Sequence, residues 1–407
     1  MSEKKQIVIL GAGYAGVMTA VRLAGKTKRM KQVAITLVNG SDHFNERPRL
    51  HEIATGKRPP PRPLVEMLAG TGVQLCQGMV TALQPGHKQV VVQTAAGETR
   101  LSYDYLVYAL GSRVDRESVP GVRAWAYTLD AVGTRTADPL HQRLQELAGK
   151  GGQVLVVGSG PSGIEIAGEI RDTFPALDVS IVTGSEFGSF TVERVRRYMR
   201  RALNRLNVQI KEQSVVTEVR ERELALENGS RLAYDLCVWA GGFKGGSLLP
   251  EAGMEVNRQN RLMVDPYLRS LSYADIYAVG DAALPVEETG APARMSLFYA
   301  LVTAAHATDN LVNVLKGKKQ RPFGFSTYGQ GIAIGRHDAV GFNSFPNDRP
   351  VGPLVTGRVG LAVRNFFVWL ILRLLTVERT FPGFFFWPGR NRGKAGGFVS
   401  AELVVDN

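Results

Sequence analysis

Two glycine-rich turns are the clearest candidates for chemistry in this sequence. Both have the spacing GxGxxG, at residues 11–16 and 158–163. In this spacing the first glycine permits a tight turn, the second lets the backbone approach a pyrophosphate, and the third lets a helix pack closely on a strand. Free N–H groups at the start of that helix then bind the phosphates. The residues predicted to bind a dinucleotide are Gly11, Gly13, Tyr14, Ala15 and Gly16, and, in the second turn, Gly158, Gly160, Pro161, Ser162 and Gly163.

The residues around each turn predict the elements that position it. Apolar runs on either side indicate two buried strands joined by a helix, which is the βαβ unit of dinucleotide-binding proteins. The predicted strand, helix and strand are residues 6–10, 15–23 and 34–38, and, in the second unit, 153–157, 164–172 and 179–182. One such turn alone is weak evidence, but the complete unit occurs twice. The chain is therefore predicted to hold two adenine dinucleotides and to pass a hydride between them.

The residue after the second strand of each unit indicates which ribose is bound. A carboxylate is usual there, because it accepts hydrogen bonds from the ribose hydroxyls. Here the two positions hold Asn39 and Thr183. Asn39 still offers a hydrogen-bonding side chain, whereas the missing carboxylate at Thr183 removes the usual preference for an unphosphorylated ribose. We therefore expect NADH and NADPH to differ by roughly tenfold or less in kcat/KM.

Four arginines follow the second unit on one face of a predicted helix, at positions 194, 197, 201 and 205. They form either a solvated helix face or a site at which Arg194 or a neighbour meets the 2′-phosphate of NADPH.

Three further strands end in small or acidic residues that suit a cofactor. YDYLVYALGS ends at Ala109 and Gly111, and YDLCVWAGGF ends at Gly241 and Gly242. Such ends let the chain pass close to a bound group. YADIYAVGDAA ends at Gly280-Asp281, where a carboxylate can accept hydrogen bonds from a polyol chain. A helix predicted from about residue 296 to 315 follows, and its N-terminus would favour negative charge on a reduced flavin.

Composition restricts the remaining classes of function. The 407 residues exceed one typical core, so two or three domains are expected. The two cysteines, Cys76 and Cys237, lie far apart, and neither they nor the six histidines show the spacing of a dithiol or a metal site. The net charge of +12 calls for an anionic partner, either nucleotide phosphates or an acidic membrane. No motif for nucleic-acid binding is present, so nucleic acid is not expected.

Together these residues resemble the two-dinucleotide-binding-domain flavoproteins, which include glutathione reductase, apoptosis-inducing-factor-like proteins and type II NADH:quinone dehydrogenases. The resemblance covers about residues 5–315. It implies an α/β fold with two nested Rossmann-like domains of the glutathione-reductase type and a small C-terminal extension. It places FAD on the first turn, with the adenine near Val80 and the ribityl chain on Asp281. It places NAD(P)H on the second turn, with Glu165 and Gly242 near the nicotinamide and Glu165 as the implied catalytic residue.

The resemblance also implies the domain boundaries. The FAD-binding domain is expected at residues 1–118 and 250–320, interrupted by the NAD(P)H-binding domain at residues 119–249. Residues 321–407 then form the extension.

Within this family the sequence is most similar to the type II dehydrogenases. Disulfide reductases need a cysteine pair beside the first helix, which this chain lacks, and GIAIGRHDAVGF at residues 331–342 resembles the glycine–arginine strand of the type II enzymes. Their AQxAxQ motif, which lines the quinone site, is replaced here by residues 297–302, where only the alanine remains. Phe298, Tyr299 and Val302 are instead expected to form an apolar wall for a quinone or another aromatic acceptor.

The C-terminal region suits a lipid surface. The apolar run at residues 361–375 contains Arg364 and Arg373, and we expect it to be too short and too charged to span a bilayer. It is predicted to lie in the membrane interface, with tryptophans and phenylalanines as anchors and arginines and a lysine against anionic lipid. The alternative is a helix packed on the body or in a homodimer contact. The anchors are Trp369, Phe381, Phe384, Phe385, Phe386 and Trp387; the cations are Arg358, Arg379, Arg390, Arg392 and Lys394.

The loop FNERPRLHE, residues 44–52, would lie near the flavin if the family geometry holds. A structural role is expected for it. If the protein acts on its own organic substrate, His51 is the first acid–base candidate.

The function implied is transfer of a hydride from NAD(P)H to FAD, followed by electron transfer to a quinone-like acceptor, at the cytoplasmic face of the membrane. Two alternatives stay open: a soluble flavoenzyme of specialised metabolism, and a flavoprotein with a signalling role like the apoptosis-inducing factors.

We predict that Gly13→Val yields a colourless protein. A branched side chain would occupy the space through which the pyrophosphate must approach the backbone. The visible spectrum of the purified variant measures this, and a yellow protein with normal flavin content would disprove the assignment.

Overall fold

The first glycine turn follows the central strand of a five-stranded parallel sheet, at the carboxyl end of that strand. The structure is a computed structural model that describes residues 4–131, 133–285, 293–345, 347, 349–387 and 389. In spatial order the strands are Ile276–Ala278, Tyr105–Tyr108, Lys5–Leu10, Val33–Asn39 and Gln74–Gln77. The central strand is buried on both faces, as expected for a parallel sheet covered by helices. The predicted strand, turn and helix of the first unit are therefore confirmed.

The second turn lies in a sheet of the same construction. Its five parallel strands are, in spatial order, Gln209–Lys211, Leu177–Val182, Gly152–Val157, Leu236–Trp239 and Tyr127–Thr128. The first sheet takes its outer strand, Ile276–Ala278, from the chain beyond the second sheet. The second unit is thus inserted into the first, and the predicted nested α/β fold is confirmed.

Each parallel sheet carries a three-stranded antiparallel meander. Gln74–Gln77 joins the first parallel sheet, whereas Met79–Gln84, directly after it, begins the first meander. One short pair, Arg113–Val114 with Phe243–Lys244, connects the two nested units. A second pair, Leu262–Met263 with Ala283–Leu284, lies within the segment by which the chain returns to the first unit. The meander strands are Met79–Gln84, Gln89–Thr94 and Gly97–Ser102, and Val216–Val219, Glu223–Leu226 and Arg231–Ala233.

Three helices position the candidate site: the first-fingerprint helix Tyr14–Thr27, the second-fingerprint helix Pro161–Thr173 and the long helix Leu297–Leu315. The first-fingerprint helix packs against the long helix, which confirms the helix predicted after Asp281. The other helices are Leu50–Ala54, Leu64–Met67, Val122–Trp125, Ala137–Ala148, Glu193–Arg205 and Leu248–Glu251, with 3-10 turns at Arg47–Arg49, Pro85–His87 and Gly280–Ala282.

The C-terminal region adds an antiparallel sheet of strands Tyr328–Ala333, Ala339–Ser344 and Pro350–Thr356, followed by the C-terminal helix Gly357–Thr380. This helix has 24 residues, so the expected shorter segment was wrong in length. Among the described residues it is the one helix whose length and hydropathy would allow it to cross a membrane. Its inner face, however, packs on the C-terminal sheet and on the first-fingerprint helix.

A buried ion network fastens the end of the C-terminal helix to the body. Arg22, fully buried in the first-fingerprint helix, pairs with Glu378 at 2.7 Å and with Asp309 of the long helix at 2.9 Å. Glu378 also accepts hydrogen bonds from the backbone N–H groups of Gly383 and Phe385. Removing one partner of such a network leaves a buried charge unpaired, which is costly. The helix is therefore an integral part of the fold.

The outer face of the C-terminal helix and the turn after it are apolar and exposed. The side chains of Phe366 and Trp369 are 53% and 50% exposed, and Arg373 stacks over the Trp369 ring at 5.5 Å. Phe381, Phe384 and Phe386 continue this surface beyond the helix, whereas Phe385 and Trp387 are buried and serve as core residues. Three cations predicted to face lipid, Arg390, Arg392 and Lys394, lie outside the described residues.

We predict that Gly16→Ala destabilises the protein severely. A Cβ at Gly16 would lie 1.7 Å from the carbonyl oxygen of Gly11, so helix and turn must separate. We expect the free energy of unfolding to fall by about 3 kcal/mol or more, measured by urea unfolding of flavin-free protein. Gly13→Ala is the matched control, because its Cβ meets no atom within 4 Å. Equal stabilities of the two variants would contradict this account of the turn.

Candidate active site

The two glycine turns form equivalent cradles. The first glycine of each lies against the end of a neighbouring strand, since a Cβ at Gly11 would be 2.6 Å from the Ala109 carbonyl oxygen and one at Gly158 would be 2.5 Å from that of Ala240. The middle glycine of each faces open space, because a Cβ at Gly13 or Gly160 would meet no atom within 4 Å. The protein thus packs tightly behind each turn and leaves room in front of it, as a pyrophosphate requires.

The residues that end the second strand of each unit hold the turns in place. The Asn39 side chain accepts a hydrogen bond from the backbone N–H of Ala12 at 2.9 Å and donates one to the Ser41 carbonyl. Thr183 is buried, and its hydroxyl lies 2.9 Å from that of Ser159 in the second turn. Both side chains therefore contact the fingerprint itself, and their roles toward a ribose stay predictions.

Two arginines of the arginine helix, Glu193–Arg205, have defined partners in the structure. Arg194 donates to the carbonyl of Gly352 in the C-terminal sheet, away from the end of the Leu177–Val182 strand. Arg196 instead pairs with Glu186, three residues beyond Thr183. Arg196 is therefore the neighbour whose partner lies close in sequence to Thr183, and the contact of Arg194 or a neighbour with a 2′-phosphate stays a prediction.

Asp281 lies where the first parallel sheet presents the carboxyl ends of its strands. The Ser112 hydroxyl donates to Asp281 Oδ2 at 2.6 Å, and the backbone N–H of Gly280 donates to Thr303 of the long helix. Arg47 donates to the Ser112 carbonyl at 2.5 Å and lies 4.0 Å from the Asp281 carboxylate. The Oδ1 atom of Asp281 accepts no hydrogen bond from any described residue and remains free for a polyol hydroxyl.

Buried polar groups without partners lie beside both cradles. Tyr14 packs edge-on against Phe44, and its hydroxyl has no hydrogen-bond partner among the described residues. The indole N–H of Trp239, at the end of its strand beside Gly241, has none either. Buried donors are normally paired, so these groups and the open glycines fit the binding of a polar ligand at each turn.

Other predicted cofactor residues lie at strand ends or in the first meander, and their contacts with a cofactor stay predictions. Ala109 and Gly111 follow the Tyr105–Tyr108 strand, and Gly242, with a φ of +120°, follows Leu236–Trp239. Val80 follows Met79, which lines an open cavity of about 440 Å³.

A buried ionic cluster joins the two halves of the molecule. Arg364 of the C-terminal helix pairs with Glu165 of the second-fingerprint helix at 3.1 Å and with Glu52 of the 44–52 loop at 3.2 Å. It also donates to the Pro48 carbonyl at 2.9 Å. His51 Nδ1 lies 3.7 Å from the second oxygen of Glu165. The two residues predicted as catalytic, Glu165 and His51, are therefore brought together, and their roles in catalysis stay predictions.

Burial sets the protonation of this cluster. It raises the pKa of Glu165, although the nearby Arg364 charge lowers it. Burial, with the charge of Arg364, holds the pKa of His51 well below its usual range, so the imidazole is neutral. The site therefore combines a carboxylate that can take a proton, a neutral imidazole and a fixed cation, which is a set suited to proton transfer.

The three residues predicted to face an acceptor differ in accessibility. Tyr299 and Val302 are buried, so only Phe298 of the three keeps accessible surface. Phe298 stacks on Tyr328 at 5.5 Å, and Tyr299 packs edge-on against Phe325 at 4.8 Å. Phe298 is thus the accessible ring of this group, and the buried Tyr328 that supports it comes from the C-terminal sheet.

Sequence reasoning missed Arg364 as a site residue. In the sequence Arg364 is only a charge within an apolar run, because its partners lie about 200 and 310 residues away in the chain. The signal was present in the pattern, since an arginine within an apolar helix with an otherwise buried face requires a carboxylate partner.

The chain is similar to known oxidoreductases in sequence and in fold. The family model described as pyridine nucleotide-disulphide oxidoreductase matches residues 5–308. "Oxidoreductase ptaL" of Pestalotiopsis fici is 29% identical over 89% of this chain and 97% of its own length. A type II NADH:quinone oxidoreductase of Staphylococcus saprophyticus is 26% identical over 83% and 90%, respectively. The sulfide:quinone oxidoreductase of Aquifex aeolicus has a similar fold, with a TM-score of 0.77, 18% identity and 93% coverage of both chains.

We predict that Arg364→Ala lowers the free energy of unfolding by about 3–5 kcal/mol, because the buried Glu165 loses its cation while Glu52 keeps Arg49 as a partner. The loss should grow as pH rises. A carboxyl whose folded pKa is raised contributes stability below its ordinary pKa of 4.5 and loses it as pH rises through the folded pKa, and removal of Arg364 raises that pKa further.

Urea unfolding at several pH values measures this effect. Arg364→Lys, which keeps the charge, is the control and should recover most of the stability. A pH-independent loss, equal in both variants, would show that Arg364 contributes packing alone.

Proposed function

Because this chain belongs to the pyridine nucleotide-disulphide oxidoreductase family, we propose that it is an FAD-dependent NAD(P)H:quinone oxidoreductase. The observation that carries the proposal is the duplication of the glycine cradle, with Gly13 and Gly160 each facing open space at the edge of its own parallel sheet. FAD is assigned to the cradle of residues 1–118 and 250–320, and NAD(P)H to that of residues 119–249. Bound FAD supplies a carrier that accepts a hydride from the nicotinamide and passes electrons to the acceptor.

The residues of the chain bind and orient these groups. The turn at Gly13 holds the pyrophosphate of FAD, and the free Oδ1 of Asp281, with Oδ2 fixed by Ser112, holds its polyol chain. The turn at Gly160 holds the pyrophosphate of NAD(P)H. Glu165, oriented by Arg364 and by the backbone N–H of Ala333, stands at the start of the second-fingerprint helix and holds the proton that acceptor reduction consumes.

The donor is proposed to be either NADH or NADPH, with small discrimination. Thr183 offers no carboxylate to a ribose, since its hydroxyl is already bonded to Ser159. Arg196 supports acceptance of a 2′-phosphate, which would compete with Glu186 for its guanidinium.

A quinone is proposed as the acceptor, although the family name includes disulphide. The only two cysteines are Cys76 and Cys237, one in each parallel sheet and both with a pKa raised by burial, so no paired dithiol receives electrons. The half-buried ring of Phe298, stacked on the buried Tyr328, offers an apolar surface for a quinone ring. The relative from Staphylococcus saprophyticus is named as an enzyme that acts on quinone.

The membrane surface is proposed as the place where the acceptor is met, with the protein peripheral on the cytoplasmic face. The exposed aromatic side chains of the C-terminal helix would lie at the boundary between headgroups and acyl chains. The exposed charged side chains of this helix are all cationic, because its one acidic residue, Glu378, is buried. Anionic lipid therefore suits it.

A soluble oxidoreductase acting on a small aromatic molecule is the second candidate. The loss of both glutamines at residues 298 and 302 favours it, as does the relative from Pestalotiopsis fici, whose name specifies no quinone. In that case His51, neutral and 3.7 Å from Glu165, is the acid–base residue.

We predict that the double variant Phe366→Ser/Trp369→Ser binds anionic vesicles roughly tenfold more weakly, because two exposed rings no longer enter the interface. Its flavin content should be unchanged, and its turnover should fall more with a long-chain quinone than with ferricyanide. Vesicle sedimentation and parallel kinetics measure both effects.

Trp125→Ser is the control, since Trp125 is an exposed ring of the second half that lies on a different element. If the wild-type protein does not bind anionic vesicles and reduces no quinone, the second candidate, a soluble oxidoreductase, replaces the proposal.

A further inference from the structure

A basic cavity lies where the first-fingerprint helix and the long helix end. Its volume is about 340 Å³, and it opens to solvent next to the loop that follows the long helix. Asp309 is the one carboxylate in its lining, and it is already paired with Arg22. Burial opposes its ionisation, yet the hydrogen bond from Arg22 lowers the pKa of Asp309 to about 2. The cationic lining residues are Lys26, Lys316, Lys318 and Arg321.

These cations exceed the available negative charge. Lys26 is 2.5 Å from Asp309, whereas the side chains of Lys316, Lys318 and Arg321 make no ion pair or hydrogen bond within the described part of the chain. Three unpaired cations around one concave space favour an anion with several acceptor oxygens, and phosphate is such an anion.

The loop that carries these cations is held in place by buried side chains. Asn310, almost fully buried, donates to the Arg321 carbonyl and accepts from the Arg321 N–H, both at 2.9 Å. His306, also buried, lies 2.8 Å from the same carbonyl through Nε2. The backbone N–H of Lys318 donates to the Asn313 carbonyl at 2.7 Å. The cations are thus presented by a fixed backbone, so little ordering is needed when an anion binds.

The exposed aromatic turn after the C-terminal helix borders this cavity. A Cβ at Gly383 would lie 3.3 Å from Lys26 Cε, and Pro382 contacts Gly25 at the end of the first-fingerprint helix. Phe384 and Phe386, on either side of buried Phe385, are exposed beside it. The exposed rings suit the acyl chains of a phospholipid, and the basic cavity beside them suits its phosphate.

We propose that this cavity binds the phosphate headgroup of an anionic phospholipid. The proposal rests on the membrane association in the proposed function and adds a defined headgroup site to it. Lys316, Lys318 and Arg321 hold the phosphate, while Phe384 and Phe386 contact the adjoining chains. The site fixes the turn after Phe381 at the membrane and so orients the C-terminal helix, which carries Arg364.

Charge reversal in the full-length protein tests the site. Lys318→Glu changes a residue that lines the cavity, and Lys319→Glu is the matched control, because it makes the same charge change on an exposed neighbour that does not line it. Binding is measured by sedimentation with vesicles of pure phosphatidylcholine and with vesicles containing phosphatidylglycerol. We expect Lys318→Glu to lower affinity for the anionic vesicles roughly tenfold and Lys319→Glu less than about threefold.

Lys318→Arg should restore binding, and neither reversal should affect pure phosphatidylcholine vesicles. Equal effects of the two reversals would overturn the site, because diffuse surface charge would then explain binding. Thermal unfolding with inorganic phosphate at constant ionic strength tests a soluble ligand. The lipid assignment would also be overturned by a second outcome. In it, phosphate raises the Tm of the wild type but not that of Lys318→Glu, while the two proteins bind vesicles equally.

Reduction of a water-soluble quinone without vesicles is measured on the same proteins. If the wild type reduces no quinone, the proposed function is refuted. The comparison of Lys318→Glu with Lys319→Glu in vesicle binding still tests the headgroup site.

Discussion

One guanidinium joins three parts of the chain that are far apart in sequence. Arg364 of the C-terminal helix contacts Glu52 and Pro48 of the loop in the first half, and Glu165 of the second-fingerprint helix. Its side chain is 6% exposed, so water cannot replace these contacts. The buried Glu165 has no other lysine or arginine partner among the described residues, and the geometry between the two dinucleotide cradles therefore depends on how the C-terminal helix is docked.

The same helix has two different faces. Its inner face supplies Arg364 to the site and Glu378 to Arg22, whereas its outer face presents rings such as Phe366 and Trp369 to solvent. An element that contacts both the candidate catalytic carboxylate and an apolar surface is suited to an enzyme whose acceptor resides in lipid. This arrangement explains why a helix with membrane-like hydropathy nevertheless contains an arginine and a glutamate.

The nested sheets and both glycine cradles were predictable from sequence, because a βαβ unit is local: Gly11, Gly13 and Gly16 need only the adjoining strand and helix. The partners of Arg364 and Arg22 were not predictable, since ion pairs between residues hundreds of positions apart leave no local period. The direction of Arg194 depended on how the C-terminal sheet packs, which placed Gly352 within its reach. The accessibility of Tyr299 was missed because apolar residues at the start of a helix give no sign of which side is covered.

The central claim is that electrons pass through a bound flavin from a nicotinamide to a quinone. Anaerobic stopped-flow absorbance tests it most directly: the purified yellow protein is mixed first with NADH or NADPH, and then with a quinone. The account predicts that the visible flavin band disappears with the first reagent and returns with the second, each at a rate no slower than steady-state turnover. A flavin that stays oxidised with both donors, or a reduced flavin that no quinone reoxidises, would contradict it.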